Sequence, residues 1–177
     1  MTGLDATFID GQSRIVEEWK TLLSFKSVST APEHNQDCLD CAAWLRDHIA
    51  QIGFDVELLE TGSKPVVYAE RRGAPGAPTV LFYGHYDVQP VDPIDAWTSP
   101  PFAPEIRDGC MYARGAQDNK GQHFYVLKIN RTKADLTKQS AVHRIGHVDA
   151  GFPCCGMESR IQDCAAGLVT VADGVNN

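Results

Sequence analysis

Three residues carry the chemistry this sequence offers: His85 and Asp87, two positions apart in "VLFYGHYDVQPVD", and Asp118 in "RGAQDNKG". Neutral imidazole and carboxylate are the nitrogen and oxygen donors that zinc and manganese take. In an extended chain, positions i and i+2 point to the same side, so His85 and Asp87 share one site if the strand before them runs that far. One of them then ligates while the other orients it, because a metal-bound histidine normally donates its second ring N–H to a carboxylate. Asp118 stands at an expected helix start, where a carboxylate can bridge two ions. A turn histidine, two turn-forming aspartates and a helix cap account for the same residues without a metal. The His-x-Asp spacing alone does not decide between the two readings.

The elements that must position these residues follow from periodicity. Residues 10–28 place Ile15, Val16, Trp19, Leu22 and Leu23 on a helical face, with Glu17 and Glu18 early in it, where the helix dipole favours acids. "STAPEHNQD" is a loop with a proline break. Residues 36–52 predict a second helix with Leu39, Ala42, Leu45, Ile49 and Ile52 on one side, stopped by Gly53. Then the period changes to that of strands in "FDVELLE", "PVVYAERR" and "TVLFYGH", separated by "TGSK" and "GAPGAP". The continuous apolar run of the third predicts a strand buried on both faces. The helices and strands together predict an α/β sandwich, with ligands gathered at the carboxyl ends of the strands. A long, proline-rich irregular segment follows, holding a short hairpin around Asp108-Gly109, and a third helix is expected over 119–128.

The chain of 177 residues is long enough for a domain with a real core. Its formal charge of −7 argues against a nucleic-acid partner. No apolar run reaches the roughly 18 residues of a membrane span, and the acidic start is unlike a signal peptide; the expected setting is the cytoplasm, with no membrane partner. Six cysteines in such a setting read as free thiols. Cys38 and Cys41 form a CxxC, but no second pair completes a four-thiolate site, and Cys154-Cys155 adds no supporting spacing.

The text around His85 resembles a family of cocatalytic-metal peptidases that contains aminoacylases, succinyl-diaminopimelate desuccinylases, glutamate carboxypeptidases and cytosolic dipeptidases. "GHYDVQPVD" and "WTSPPFAPEIRDGCMYARGAQDNKGQ" carry the resemblance. Trp97, Pro101, Phe102, Asp108, Gly109, Tyr112, Arg114, Gly115, Asp118, Lys120 and Gly121 fall on the family pattern. The forms "DVQP" and "DNKG" are most similar to the dipeptidase, carnosinase-like branch, and the likeness runs over about residues 10–128. The resemblance implies the N-terminal part of a mixed-sheet, three-layer α/β catalytic domain, truncated and without the lid or dimerisation domain. It implies His85 as ligand of one metal ion, Asp118 as the carboxylate bridging two, and Asp87 as the catalytic-site carboxylate that clamps the His85 imidazole. The implied cofactors are two divalent ions, zinc first and manganese second. The implied substrate is a small peptide or N-acyl amino acid, and the implied state of full-length relatives is a homodimer.

The family also uses a Glu-Glu pair, a helix and a strand later, as general base and metal ligand. Glu17-Glu18 is the only such pair here and precedes the strands. Beyond Lys128 the character changes: only Phe152 among the aromatic residues lies past Tyr125, and "AAGLVTV" at Ala165–Val171 is the only strand-like run. Residues 129–177 are expected to be a divergent, poorly packed tail. "HRIGHVDAG" repeats a His-x-Asp at His147 and Asp149, and His143 and His147 would share a helix face, but its glycines weaken a helix and no apolar strand precedes it. The expected activity is amide hydrolysis in a longer chain, with this segment inactive alone. A non-catalytic relative that binds a metal or a partner is the alternative, and a redox or structural-zinc protein built on the cysteines is a third.

Overall fold

A computed structural model describes residues 3–72, 75, 79–132 and 142–147. Among these residues three α-helices, α1 (Gly3–Ser24), α2 (Asn35–Ala50) and α3 (Lys120–Thr132), accompany six strands. The strands are β1 (Asp55–Leu59), β2 (Val66–Arg71), β3 (Thr79–Gly84), β4 (Glu105–Arg107), β5 (Cys110–Tyr112) and β6 (Val142–His147). Four of them form a mixed sheet in the order β1-β2-β6-β3, in which β6 runs antiparallel to β2 and parallel to β3. This is the α/β, mixed-sheet architecture expected from the sequence. No helix among the described residues is long and apolar enough to cross a membrane.

One core joins the helices to the sheet. Leu22 of α1, Leu45 and Ile49 of α2, Phe124 and Leu127 of α3, and Val67 and Ala69 of β2 are buried in a single cluster. The apolar face of α2 differs from the expected one at its start. Leu39 is 44% exposed, while Cys38 and Cys41 are fully buried. The CxxC spacing is therefore an i, i+3 helix-face spacing, and both residues are packed in the core outside any disulfide. Gly53, at φ 88°, ends the second helical stretch as expected.

Other boundaries move for identifiable reasons. The first helix spans Gly3–Ser24 rather than 10–28, so Glu17 and Glu18 lie in its second half and not at its positive end. It stops at Ser24 because the next residues bond elsewhere: Lys120 Nζ donates to the Phe25 carbonyl at 2.8 Å, and Val88 N donates to the Ser27 carbonyl at 2.9 Å. The run in β3 is not sealed on both faces: Val80, Leu81 and Phe82 are half-buried and Tyr83 is 46% exposed. The described helices share one core, and none among the described residues covers the outer face.

The hairpin stands where the sequence places it. β4 and β5 pair antiparallel around Asp108 and Gly109, whose φ values of 50° and 78° make the turn that favours Asp-Gly. Strand β6 has no counterpart in the sequence reading, which finds neither helix nor strand at "VHRIGH". It is held by ladders on both sides, with Ala69 and Phe82 both opposite Ile145. Cys154-Cys155, Asp149 and the Ala165–Val171 run lie outside the described residues.

Candidate metal centre

The site forms at the carboxyl end of β3. The strand ends at Gly84, so His85 and Asp87 lie in the extended segment just beyond it rather than within the ladder. They still meet: His85 Nδ1 and Asp87 Oδ1 are 2.9 Å apart. The contact is fixed from behind by the loop that follows α1. Ser29 Oγ donates to Asp87 Oδ2, Ser27 Oγ donates to the Tyr86 carbonyl at 2.7 Å, and Tyr86 Oη donates to the Pro65 carbonyl at 2.8 Å. Asp87, 5% exposed, is thus engaged at both oxygens. An Nδ1–H donated to Asp87 leaves Nε2 as the ring nitrogen facing outward.

Asp118 comes to that Nε2 from the other side. Its Oδ1 stands 3.3 Å from His85 Nε2, and its side chain is 75% exposed. It lies in the turn before α3, which begins at Lys120. The turn is tight because Gly121 has no side chain: a Cβ there would lie 1.9 Å from the Ala116 carbonyl oxygen. Lys120, fully buried, ties the helix start to the end of α1 through the Phe25 carbonyl, and burial pushes its pKa down. Two further residues of the family pattern, Trp97 and Arg114, brace the segment after Asp87. Trp97 Nε1 donates to the Val91 carbonyl at 2.9 Å, and the Arg114 guanidinium lies 5.0 Å above the Trp97 ring and donates to the Pro90 carbonyl at 2.8 Å.

The electrostatics match the geometry. Burial of the His85 ring opposes its charge, but the carboxylates of Asp118 and Asp87 outweigh burial and push its pKa up to about 10. The hydrogen bond from His85 in turn holds Asp118 below the usual carboxylate range. His123, on the first turn of α3, is the residue the sequence reading missed. It is 9% exposed, and burial together with the His85 charge pushes its pKa down to about 4. Its only sequence signal is its distance of five positions from Asp118.

His85, Asp87 and Asp118 line a cavity of about 300 Å³ with Val88, Gln89 and Arg114. Two metal bonds of about 2.1 Å at a tetrahedral angle place their ligand atoms roughly 3.4 Å apart. The 3.3 Å between His85 Nε2 and Asp118 Oδ1 fits that separation. The donors present therefore suit a zinc-like ion in type and spacing. They do not complete its shell: no cluster of three or more His, Cys, Asp or Glu among the described residues could hold an ion.

Comparison with known proteins gives the same family as the motif. Residues 81–148 match the family model described as Peptidase family M20/M25/M40, a span that continues past Lys128 and across β6. The chain is 45% identical over 92 residues to a succinyl-diaminopimelate desuccinylase of Dechloromonas aromatica (strain RCB), covering 52% of this chain and 23% of that protein. The fold is similar to that of human carnosine dipeptidase 1, with a TM-score of 0.73 at 28% identity over 83% of this chain and 34% of the other. It is also similar to an M20 family metallo-carboxypeptidase from Sulfolobus solfataricus, with a TM-score of 0.68 at 32% identity over 75% of this chain and 30% of the other. The chain thus spans about a quarter of the curated relative and a third of the solved ones.

Proposed function

We propose, from this M20 peptidase resemblance, that the chain carries the first part of a two-metal centre for amide-bond hydrolysis, with His85 and Asp118 as donors and Asp87 as the carboxylate that orients His85. The observation that carries the reading is the line Asp87–His85–Asp118, with contacts of 2.9 Å and 3.3 Å at the two ring nitrogens. Asp87 keeps the proton on Nδ1, so an ion that binds at Nε2 displaces only the proton shared with Asp118. Asp118, exposed beside it, has its second oxygen open to a second ion. Divalent ions, when bound, supply Lewis acidity toward the scissile carbonyl and a lower pKa for the attacking water. Zinc suits this nitrogen and oxygen pair best, with manganese second.

The relatives named above are a desuccinylase, a dipeptidase and a carboxypeptidase, and the proposed substrates are accordingly small peptides or N-acyl amino acids. The dipeptidase type is favoured by the "DVQP" and "DNKG" forms. The proposed setting is cytoplasmic, and the proposed state of a longer chain is a homodimer. These 177 residues have no Glu-Glu after β3 to take the proton from water. A positioned general base contributes about 10²–10⁴ in rate, so the chain as it stands should show no measurable turnover.

Two measurements test this. Zinc and manganese content after dialysis should fall in His85→Ala and Asp118→Ala relative to the parent; equal content in all three removes the site assignment. An amine-release assay on dipeptides, including β-alanyl-histidine, should stay at background with either metal added. Metal-dependent turnover that disappears in His85→Ala would show that the missing groups come from another source, such as a second chain.

A further inference from the structure

We infer that His123 is a positioning residue for this centre, the strut that sets the separation between the His85 and Asp118 donors. The inference rests on the metal-centre reading above. The two donors come from separate parts of the chain: His85 follows the end of β3, and Asp118 precedes α3. Their own contact does not fix their separation, because the Asp118 side chain is 75% exposed and has rotamer freedom. Something rigid must join the two backbones.

His123 makes that join. Its backbone N–H donates to the Asn119 carbonyl at 3.1 Å, which roots it in the turn that carries Asp118. Its ring reaches back to the chain just before His85 and lies against Gly84. A Cβ on Gly84 would fall 1.1 Å from His123 Nε2 and 1.8 Å from Cε1, so the ring occupies the space any side chain at 84 would need. The glycine before His85 and the histidine after Asp118 are therefore a matched pair. One supplies bare backbone and the other fills the space beside it with a planar ring. A planar side chain buried to 9% exposure in such a slot has one available rotamer, and so transmits position rather than absorbing it.

The test uses the whole chain and two readouts. Zinc affinity is measured by competition with a chromophoric chelator. Amide hydrogen exchange is followed in the metal-free protein over residues 83–88 and 115–120. His123→Leu replaces the planar ring with a branched side chain of another shape, and Gly84→Ala drives the ring out. Both are expected to weaken zinc binding about 10–100-fold, the usual cost of losing a residue that orients a ligand. Both should accelerate exchange in those two segments and leave β1 and α2 unchanged. His123→Phe, which restores a planar ring, should recover most of the loss.

Wild-type behaviour of His123→Leu in both readouts overturns the inference. So does acceleration spread evenly over β1 and α2, which marks general loss of stability. If His123→Leu does not fold, His123→Asn takes its place with the same expectation, and an unchanged variant again overturns it. Failure of the metal-centre reading looks different: the parent would hold zinc no better than His85→Ala. The exchange readout then still decides, with acceleration confined to both segments supporting the strut and its absence overturning it.

Discussion

His48 and His85 both sit beside carboxylates, yet the two clusters are finished differently. His48 lies under the helices, 6% exposed, stacked on Trp44 at 4.5 Å between ring centres. Its Nε2 accepts from Lys128 Nζ at 2.7 Å, and Lys128 also pairs with Glu18 and lies 4.3 Å from the Phe124 ring centre. The positive charge of that cluster is built into the chain. The cluster at the end of β3 has two carboxylates around one imidazole and no lysine or arginine paired with them among the described ion pairs, and one carboxylate faces a cavity. The helix cluster closes on itself and holds α1, α2 and α3 together. Under the function proposed above, the β3 cluster takes its positive charge from a bound cation.

Lys128→Met strikes the closed cluster and should have the largest effect, about 2–3 kcal/mol of stability, because Glu18 and His48 lose a shared charged partner. Urea unfolding measures it. Zinc retention should not change; a parallel loss of zinc would mean that the two clusters act as one. The pH dependence sharpens the contrast. Burial works against the Glu18 charge, but Lys128 and Arg14 outweigh it and hold its carboxyl below the ordinary value. A depressed carboxylate contributes stability that is complete above its unfolded pKa and lost as pH falls through the folded one. Acid titration of stability should therefore be shallower in Lys128→Met than in the parent.

Ser29→Ala strikes the open cluster at a distance from the cavity. It removes the donor to Asp87 Oδ2 and should cost about 1 kcal/mol in urea unfolding. It should also weaken zinc retention, which Lys128→Met does not; unchanged zinc affinity would show that the Ser29 bond does not help hold the ligand pair. The smallest effect belongs to Arg14→Ala. Its pair with Glu18 at 2.9 Å is an exposed i, i+4 contact worth about 0.3–0.5 kcal/mol. A loss well above that in the same unfolding measurement would place Arg14 inside the closed cluster.

The local features were legible. The Asp-Gly hairpin, the Gly53 stop, the three strands before His85 and the turn around Asp118 follow from backbone preference and short-range periodicity, which need only neighbouring residues. The residues that escaped are those whose role depends on a distant partner. Leu39 and Cys38 both suit a helix face, and which of them turns inward depends on where the sheet lies. Ser27 falls at the end of the expected first helix and Ser29 in the loop after it, and neither shows its role until the 86–88 segment is laid beside them. Strand β6 has weak apolar patterning and is defined by ladders to strands on both sides.

By itself the sequence determined the donor types, their order and the elements that carry them, since side-chain chemistry and φ/ψ preference are properties of each residue and its neighbours. Only the tertiary structure decided that Ser29 bonds the second oxygen of Asp87, that Asp118 stops 3.3 Å from His85, and that His123 fills the space left by Gly84. Those distances are set where α3 packs against the end of β3, and no local preference encodes a contact that the intervening chain must fold to make.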